Sequence, residues 1–440
     1  MFAAGIFATR KSLWTLCLVL AGAAGAAELP APVADTDYVE VSEAEARLGQ
    51  LLFYDKLLSG NRNIACASCH HPRFGTSDGL SLGLGEGGIG LGPDRRPDPD
   101  NLPEQLIPRN APGLWNMGAR AFTVLFHDGR IEADKDKPGG FRTPLGGDMA
   151  AGFSGVLSAQ TMFPVISADE MAGHYSENDI SRAVRQGRIT GAGGAWDLIA
   201  GRVADLPAYR EMFAAVYPDI AAGRRIAFTD ISNAIAAFMA FEWRSDDSAF
   251  DAYLRGEAAL DAAALKGMTL FYGAAKCATC HSGPFQTDHR FHAMAAPQIG
   301  PGKSARFEAH NRDEGRIGVT GHTDDAYRFR TPSLRNVTLT APYGHAGAHR
   351  DLGAFLRSHV DPDAGYDRGQ AVLPDLPGFD AFAALDNPAY RAAYQGPQPD
   401  LSDADLEAIM DFLSSLTGAS AEIGRLGVPA SVPSGLPVDR

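Results

Sequence analysis

The sequence predicts a mostly α-helical chain built as two related modules with long loops. Three observations carry this reading. Short stretches with apolar residues at helical spacing recur along the 440 residues. Runs alternating at period two, the mark of strands, are few. One pattern also occurs twice. Leu52-Phe53-Tyr54 precedes Cys66-Ala67-Ser68-Cys69-His70, and Leu270-Phe271-Tyr272 precedes Cys277-Ala278-Thr279-Cys280-His281. An aromatic residue and a turn follow each copy, in PRFGTSD and SGPFQTD.

Composition narrows the class. Hydrophobic residues make up 45% and charged residues 21%, enough apolar material for a packed soluble core. The formal net charge of -14 argues against binding nucleic acid or an anionic membrane surface, and it suits a basic partner.

From the N-terminus, Arg10 and Lys11 precede the apolar run SLWTLCLVLAGAAGAA, which ends in small residues. This is the order of a secretory signal over residues 1–27, cleaved near Ala26 or Ala27. The run is short for a membrane span, so a chain not embedded in the membrane and exported to the periplasm is expected. Cleavage removes Cys17 and leaves only Cys66, Cys69, Cys277 and Cys280. Ser42 caps a helix in EAEARLGQLLFYD, with Glu45 three positions on. SENDISRAVRQG, DISNAIAAFMAFEWR and DADLEAIMDFLSSLTG also read as helices, and residues 79–116 as a Gly- and Pro-rich loop. A boundary near residues 245–251 gives an N-terminal domain over 28–245, a C-terminal domain over 246–420 and a tail over 421–440.

The two C-x-x-C-H strings carry the chemistry. Cys66 and Cys69, like Cys277 and Cys280, offer two thiols for thioether bonds to one haem, and the next histidine, His70 or His281, is the axial ligand. Structural zinc and a redox disulfide are the rival readings, but neither uses the trailing histidine that both strings have. Two c-type haems follow, one in each of two cytochrome c-like domains. His71 is expected at the surface or beside a propionate, since adjacent helical residues point about 100° apart.

Over most of its length the chain resembles the bacterial dihaem cytochrome c peroxidases and their relative MauG. The resemblance rests on RNAP (109–112), FHDGR (126–130), SADEMAG (167–173), FDAYLRGE (250–257) and FRTPSLRNVTLTAPYGHAG (329–347). It implies that the N-terminal haem is the peroxide site and the C-terminal haem an electron relay. It makes Glu170 the group acting in O–O cleavage, with Gln160 and Pro164 lining the pocket. A carboxylate there can take a proton from one peroxide oxygen and return it to the other. The bland alternative is a first-turn glutamate beside a Ser167 cap. The resemblance also implies a calcium ion held by Asn110 and the carbonyls of Thr340 and Pro342.

Three departures shape the expectation. Residues 79–92, where peroxidases often place a histidine that caps the peroxide iron, contain none; Leu84 and Glu86 stand there instead. An open iron that needs no reductive activation follows. The relay haem's sixth ligand is methionine in the peroxidases and tyrosine in MauG; the matching position here is His359, with His349 as rival. Histidine in place of methionine lowers the potential. The inter-haem tryptophan of the peroxidases is replaced by His127, unless Trp115 substitutes, and residues 134–152 form an insertion. The expected function is a periplasmic peroxidase that reduces hydrogen peroxide with electrons from a small cytochrome c or cupredoxin. An enzyme of the MauG/MbnH-like branch, oxidising tryptophan or other side chains of a client protein, is the alternative. A dihaem electron carrier without peroxide chemistry is the second alternative.

Overall fold

The computed structural model describes residues 27–303, 311–383, 385, 387–421 and 424–440. The expected signal and Cys17 lie outside the described residues. Helices dominate in the order α1 (Glu43–Tyr54), α2 (Val156–Thr161), α3 (Asp179–Arg185), α4 (Ala195–Ala204), α5 (Pro207–Val216), α6 (Pro218–Ala221) and α7 (Phe228–Glu242). There follow α8 (Ala249–Leu254), α9 (Ala262–Tyr272), α10 (Ile317–Thr320), α11 (Leu352–Val360), α12 (Pro388–Ala392) and α13 (Asp403–Ser414). Strands among the described residues are two or three residues long, in three small antiparallel sheets. No helix among the described residues is long and apolar enough to cross a membrane.

Local sequence explains the helix ends. Ser42 Oγ accepts the Glu45 amide at 3.2 Å and starts α1, as the cap pattern predicts. Asn178, Ser248, Asp261, Asp351 and Ser402 cap α3, α8, α9, α11 and α13 in the same way.

The duplicated pattern is also a duplicated packing. Gly49, three residues before Leu52, lies against α7 so closely that a Cβ would stand 1.8 Å from the Ala234 carbonyl and 2.8 Å from Phe238 Cβ. Gly267, three residues before Leu270, lies against α13 with 1.8 Å to the Ala408 carbonyl and 2.9 Å to Phe412 Cβ. Only glycine permits this approach. Phe53 then packs on Phe238, and Phe271 on Phe412, with ring centroids at 5.3 and 5.1 Å. Each pair anchors its own hydrophobic cluster. A third, smaller cluster gathers Leu82, Leu84, Leu106, Ile299 and Leu376.

Buried ion pairs tie distant segments together. Arg109 bonds Asp313 through Nε and Nη2 at 2.6 and 2.8 Å, and its Nη1 reaches Asp128 at 2.7 Å. Burial opposes both carboxylates, yet Arg109 outweighs it and holds Asp313 down to about 2 and Asp128 lower still. Arg335 and Asp251, from two of the motif phrases, pair at 2.7 and 2.8 Å with almost no exposure.

The last residues do not trail as a tail. Leu426, Val428, Val432, Leu436 and Val438 pack on the first cluster. Glu242 accepts the amides of Arg425, Leu426 and Gly427. Asp439 takes Lys56 Nζ at 2.6 Å and Ser68 Oγ at 2.5 Å, so the strap ends on the first C-x-x-C-H string. An apolar residue every few positions is the cause, masked in sequence by the intervening Gly and Pro.

Candidate functional site: two haem-binding turns

Both C-x-x-C-H strings fold into the same turn. Cys66–Ser68 and Cys277–Thr279 form 3-10 turns, and the amides of His70 and His281 close onto Cys66 O and Cys277 O at 3.0 and 2.9 Å. His70 Nδ1 then donates to Thr76 O at 3.0 Å, and His281 Nδ1 to Gln286 O at 3.2 Å. Each bond fixes the tautomer that leaves Nε2 as a free acceptor, as a metal-binding imidazole requires. Burial lowers the basicity of both rings, keeping them neutral. The cysteines form no disulfide, and burial pushes the thiols of Cys66, Cys69 and Cys277 up to about 12. The strings do not converge on a four-thiol zinc site: among the described residues Cys280 instead neighbours Asp288 and His292.

A cavity of about 290 Å³ opens beside the second turn, lined by Cys277, Cys280, His281 and His359. The ring centroids of His281 and His359 are 6.2 Å apart. Two metal–nitrogen bonds of about 2 Å and about 1 Å from each nitrogen to its ring centre sum to about 6 Å, so one iron fits between them. Burial, then the neighbouring His281, lowers His359 to about 3, again a neutral imidazole. His349 is not part of this lining; its ring is buried against Phe355 and Tyr366. Arg330 also lines the cavity. Its guanidinium has no carboxylate partner among the described residues and donates to the Phe126 and Thr331 carbonyls. Burial lowers it to about 10. A half-buried cation without an anion, on the wall of a cavity, suits a haem propionate. Nothing in the motifs pointed to it beyond its place in FRTPSLRN.

Trp115, His127 and Gln160 face the same cavity, as do Asn110, Thr340 and Pro342. The two relay candidates and the three calcium candidates are thus brought to one region beside the second turn. Asn110 Nδ2 donates to Leu80 O at 2.8 Å, which turns its Oδ1 the other way, as a cation ligand needs. Trp115 Nε1 is buried without a partner.

Glu170 and Pro164 do not line that cavity. Pro164 opens a 3-10 turn, and Glu170 stands in a π-helical turn, Ala168–Ala172. Ser167 stands at the N-cap position without a side-chain cap, and Glu170 lies in the first turn behind it; such π turns recur at functional sites. Glu170 lies on the side of the first turn, near enough that its charge acts on Cys69 and His70. The histidine-free loop is pressed onto this segment. A Cβ on Gly85 would stand 2.0 Å from Asp169 O, and the Glu86 amide bonds that oxygen at 2.9 Å. Arg95, unnoticed in sequence, clamps the loop through Leu84 O, Gly85 O and Gly90 O at 2.6, 2.9 and 2.8 Å. Leu84 is fully buried in the third cluster.

His71 is not at the surface: it is 4% exposed, with Nδ1 accepting the Arg73 amide at 3.2 Å. It caps the next 3-10 turn, Pro72–Phe74, and its ring packs against Tyr54 and Phe74.

Two free-thiol turns, two tautomer-fixed histidines and an unpaired, half-buried arginine suit two covalently attached haems. Residues 43–259 match the model of the di-haem cytochrome c peroxidase family, and the chain belongs to that family. It is 30% identical over 335 residues to cytochrome c peroxidase Ccp of Escherichia coli, covering 76% of this chain and 56% of that protein. It thus spans little more than half the length of that relative. Cytochrome c551 peroxidase of Pseudomonas aeruginosa is 28% identical over 413 residues, covering 92% of this chain and 87% of the relative. Methylamine utilization protein MauG of Paracoccus denitrificans is 27% identical over 429 residues, covering 91% and 93%. Among solved structures, a MauG-like protein associated with microbial copper homeostasis superposes with a TM-score of 0.58 at 26% identity, over 93% of this chain and 97% of that one. The diheme peroxidase BthA of Burkholderia thailandensis shares the fold, with a TM-score of 0.56 at 21% identity over 89% and 90%.

Proposed function

We propose that this chain is an exported dihaem peroxidase that reduces hydrogen peroxide with electrons from a protein donor. The observation that carries it is an asymmetry. Both turns present a neutral histidine, but among the described residues only His281 has a second histidine, His359, facing it across a cavity. The loop over residues 79–92 offers the first turn no such ligand.

In this reading Cys66, Cys69 and His70 hold the reactive haem within a domain over 28–245. Cys277, Cys280, His281 and His359 hold the relay haem within a domain over 246–420. The haems supply the redox chemistry: peroxide, two electrons and two protons become two waters. Glu170 accepts a proton from one peroxide oxygen and returns it to the other. Gln160 orients peroxide by hydrogen bonding, and Pro164 narrows the pocket. Arg330 holds a propionate, Trp115 or His127 carries electrons between the sites, and Asn110, Thr340 and Pro342 hold a calcium ion. The negative surface selects a basic donor, a small cytochrome c or cupredoxin.

The second reading is oxidation of a client protein's tryptophan or other side chain. The histidine-free loop, the non-methionine His359 and the likeness to a MauG-like structure favour it. Steady-state peroxide consumption tests the first reading, with a reduced small c-type cytochrome as donor. Turnover lost in Glu170→Gln at unchanged haem content supports it. Full turnover in that variant rejects the role of Glu170. Peroxide reactivity without donor oxidation transfers support to the second reading.

A further inference from the structure

We propose that Glu104, Asp169 and His174 form a site for one divalent transition-metal ion, beside the segment that carries Glu170. One ligand atom from each lies within 4.8 Å of the others. Asp169 is already oriented: Gln105 Nε2 donates to its Oδ2 at 2.7 Å, which leaves Oδ1 facing His174 Nε2 at 3.7 Å. Glu104 Oε2 stands 3.6 Å from His174 Nδ1. Both separations are too long for hydrogen bonds. The His174 side chain is only 10% exposed, yet its Nε2 has no hydrogen-bond partner. A buried imidazole nitrogen aimed at a carboxylate, and bonded to nothing, is poised for an ion rather than for the acid.

Donor chemistry selects the ion. One imidazole and two carboxylates carry charge -2 when the ring is neutral, which matches a dication. Imidazole suits zinc and its neighbours, whereas calcium and magnesium take oxygen donors. Bonds of about 2.0–2.2 Å require a small inward shift of the two acids. The Glu104 and Asp169 side chains are 38% and 25% exposed, which leaves room for that shift. The same exposure lets water complete the coordination. The site is separate from the all-oxygen set of Asn110, Thr340 and Pro342.

Its position gives it a consequence, which rests on the reading of Glu170. Asp169 precedes Glu170 in the π turn, and Asp169 O anchors Glu86 of the Gly-rich loop at 2.9 Å. An ion here ties Glu104 to that turn and stiffens the backbone holding Glu170.

The test uses the haem-loaded protein, freed of adventitious metal by chelation and saturated with calcium. Calorimetric titration with Zn²⁺, without peroxide, is expected to show one equivalent bound. His174→Ala and Glu104→Gln should each weaken binding about tenfold or more, with unchanged haem spectra. Wild-type affinity in both variants overturns the proposal, as does stoichiometric displacement of zinc by calcium. If His174→Ala fails to fold, Glu104→Gln decides, since that side chain is partly exposed. Because binding is read without turnover, failure of the peroxidase reading leaves this result standing.

Discussion

His70 and His281 owe their readiness to a single backbone carbonyl each, Thr76 O and Gln286 O. That is why the candidate haem-binding residues were legible in sequence: thiols, histidine and carbonyl all lie within a few positions of one another. His71 was not legible, because its surroundings come from Tyr54 and the chain's last residues. Asp439 reaches Ser68 from 371 positions away. Arg330 and Arg95 escaped for a similar reason, their meaning lying in what they do not pair with or in which carbonyls a loop presents. At Arg109 the two buried acids make a sharp prediction. Arg109→Met leaves Asp313 buried without its cation, while Asp128 keeps Arg130 at 3.1 Å, and should cost about 3–5 kcal/mol, read by denaturant unfolding. A loss under about 1 kcal/mol would mean that solvent reaches the acids.

The same acids set a pH dependence. Their folded-state values lie below the ordinary carboxylate range, so their contribution is complete above about pH 4 and is lost as pH falls toward 2. The melting temperature should fall across that window, and Asp313→Asn should flatten the fall. A pH profile identical in wild type and variant would contradict the assignment.

Among elements, the helix pairs α1–α7 and α9–α13 repeat one contact, glycine on alanine carbonyl followed by phenylalanine on phenylalanine. The Leu-Phe-Tyr repeat was visible in sequence, but the partner helices were not, because they lie far along the chain and share only a short A-I-x-x-F stretch, from Ala234 to Phe238 and from Ala408 to Phe412. Gly49→Ala and Gly267→Ala gain about 1 kcal/mol of helix propensity. A Cβ 1.8 Å from a carbonyl nevertheless forces the helices apart, at the upper end of about 1–3 kcal/mol for overpacking or beyond it. Both variants should therefore melt below wild type; an increase in either would show that the pair is looser than the packing indicates. The C-terminal strap should likewise matter. Deleting residues 425–440 uncovers five apolar side chains and should cost about 3–5 kcal/mol after discounting their partial burial. An unchanged unfolding midpoint would mean that the strap does not stabilise the first cluster.

For the whole molecule, the net charge of -14 predicts that turnover with a basic donor falls steeply as ionic strength rises from about 0.01 to 0.15 M, where the screening length shrinks from about 30 to about 8 Å. A salt-independent rate would point to an apolar docking face or to a different donor. The central claim is the asymmetry between the turns, open at His70 and closed by His359 at His281. Electron paramagnetic resonance of the diferric holoprotein, before and after one equivalent of hydrogen peroxide, tests it directly. The account predicts one high-spin haem whose signal peroxide removes, beside one low-spin bis-imidazole haem already present before addition. Two low-spin haems inert to peroxide would contradict it and leave a dihaem electron carrier.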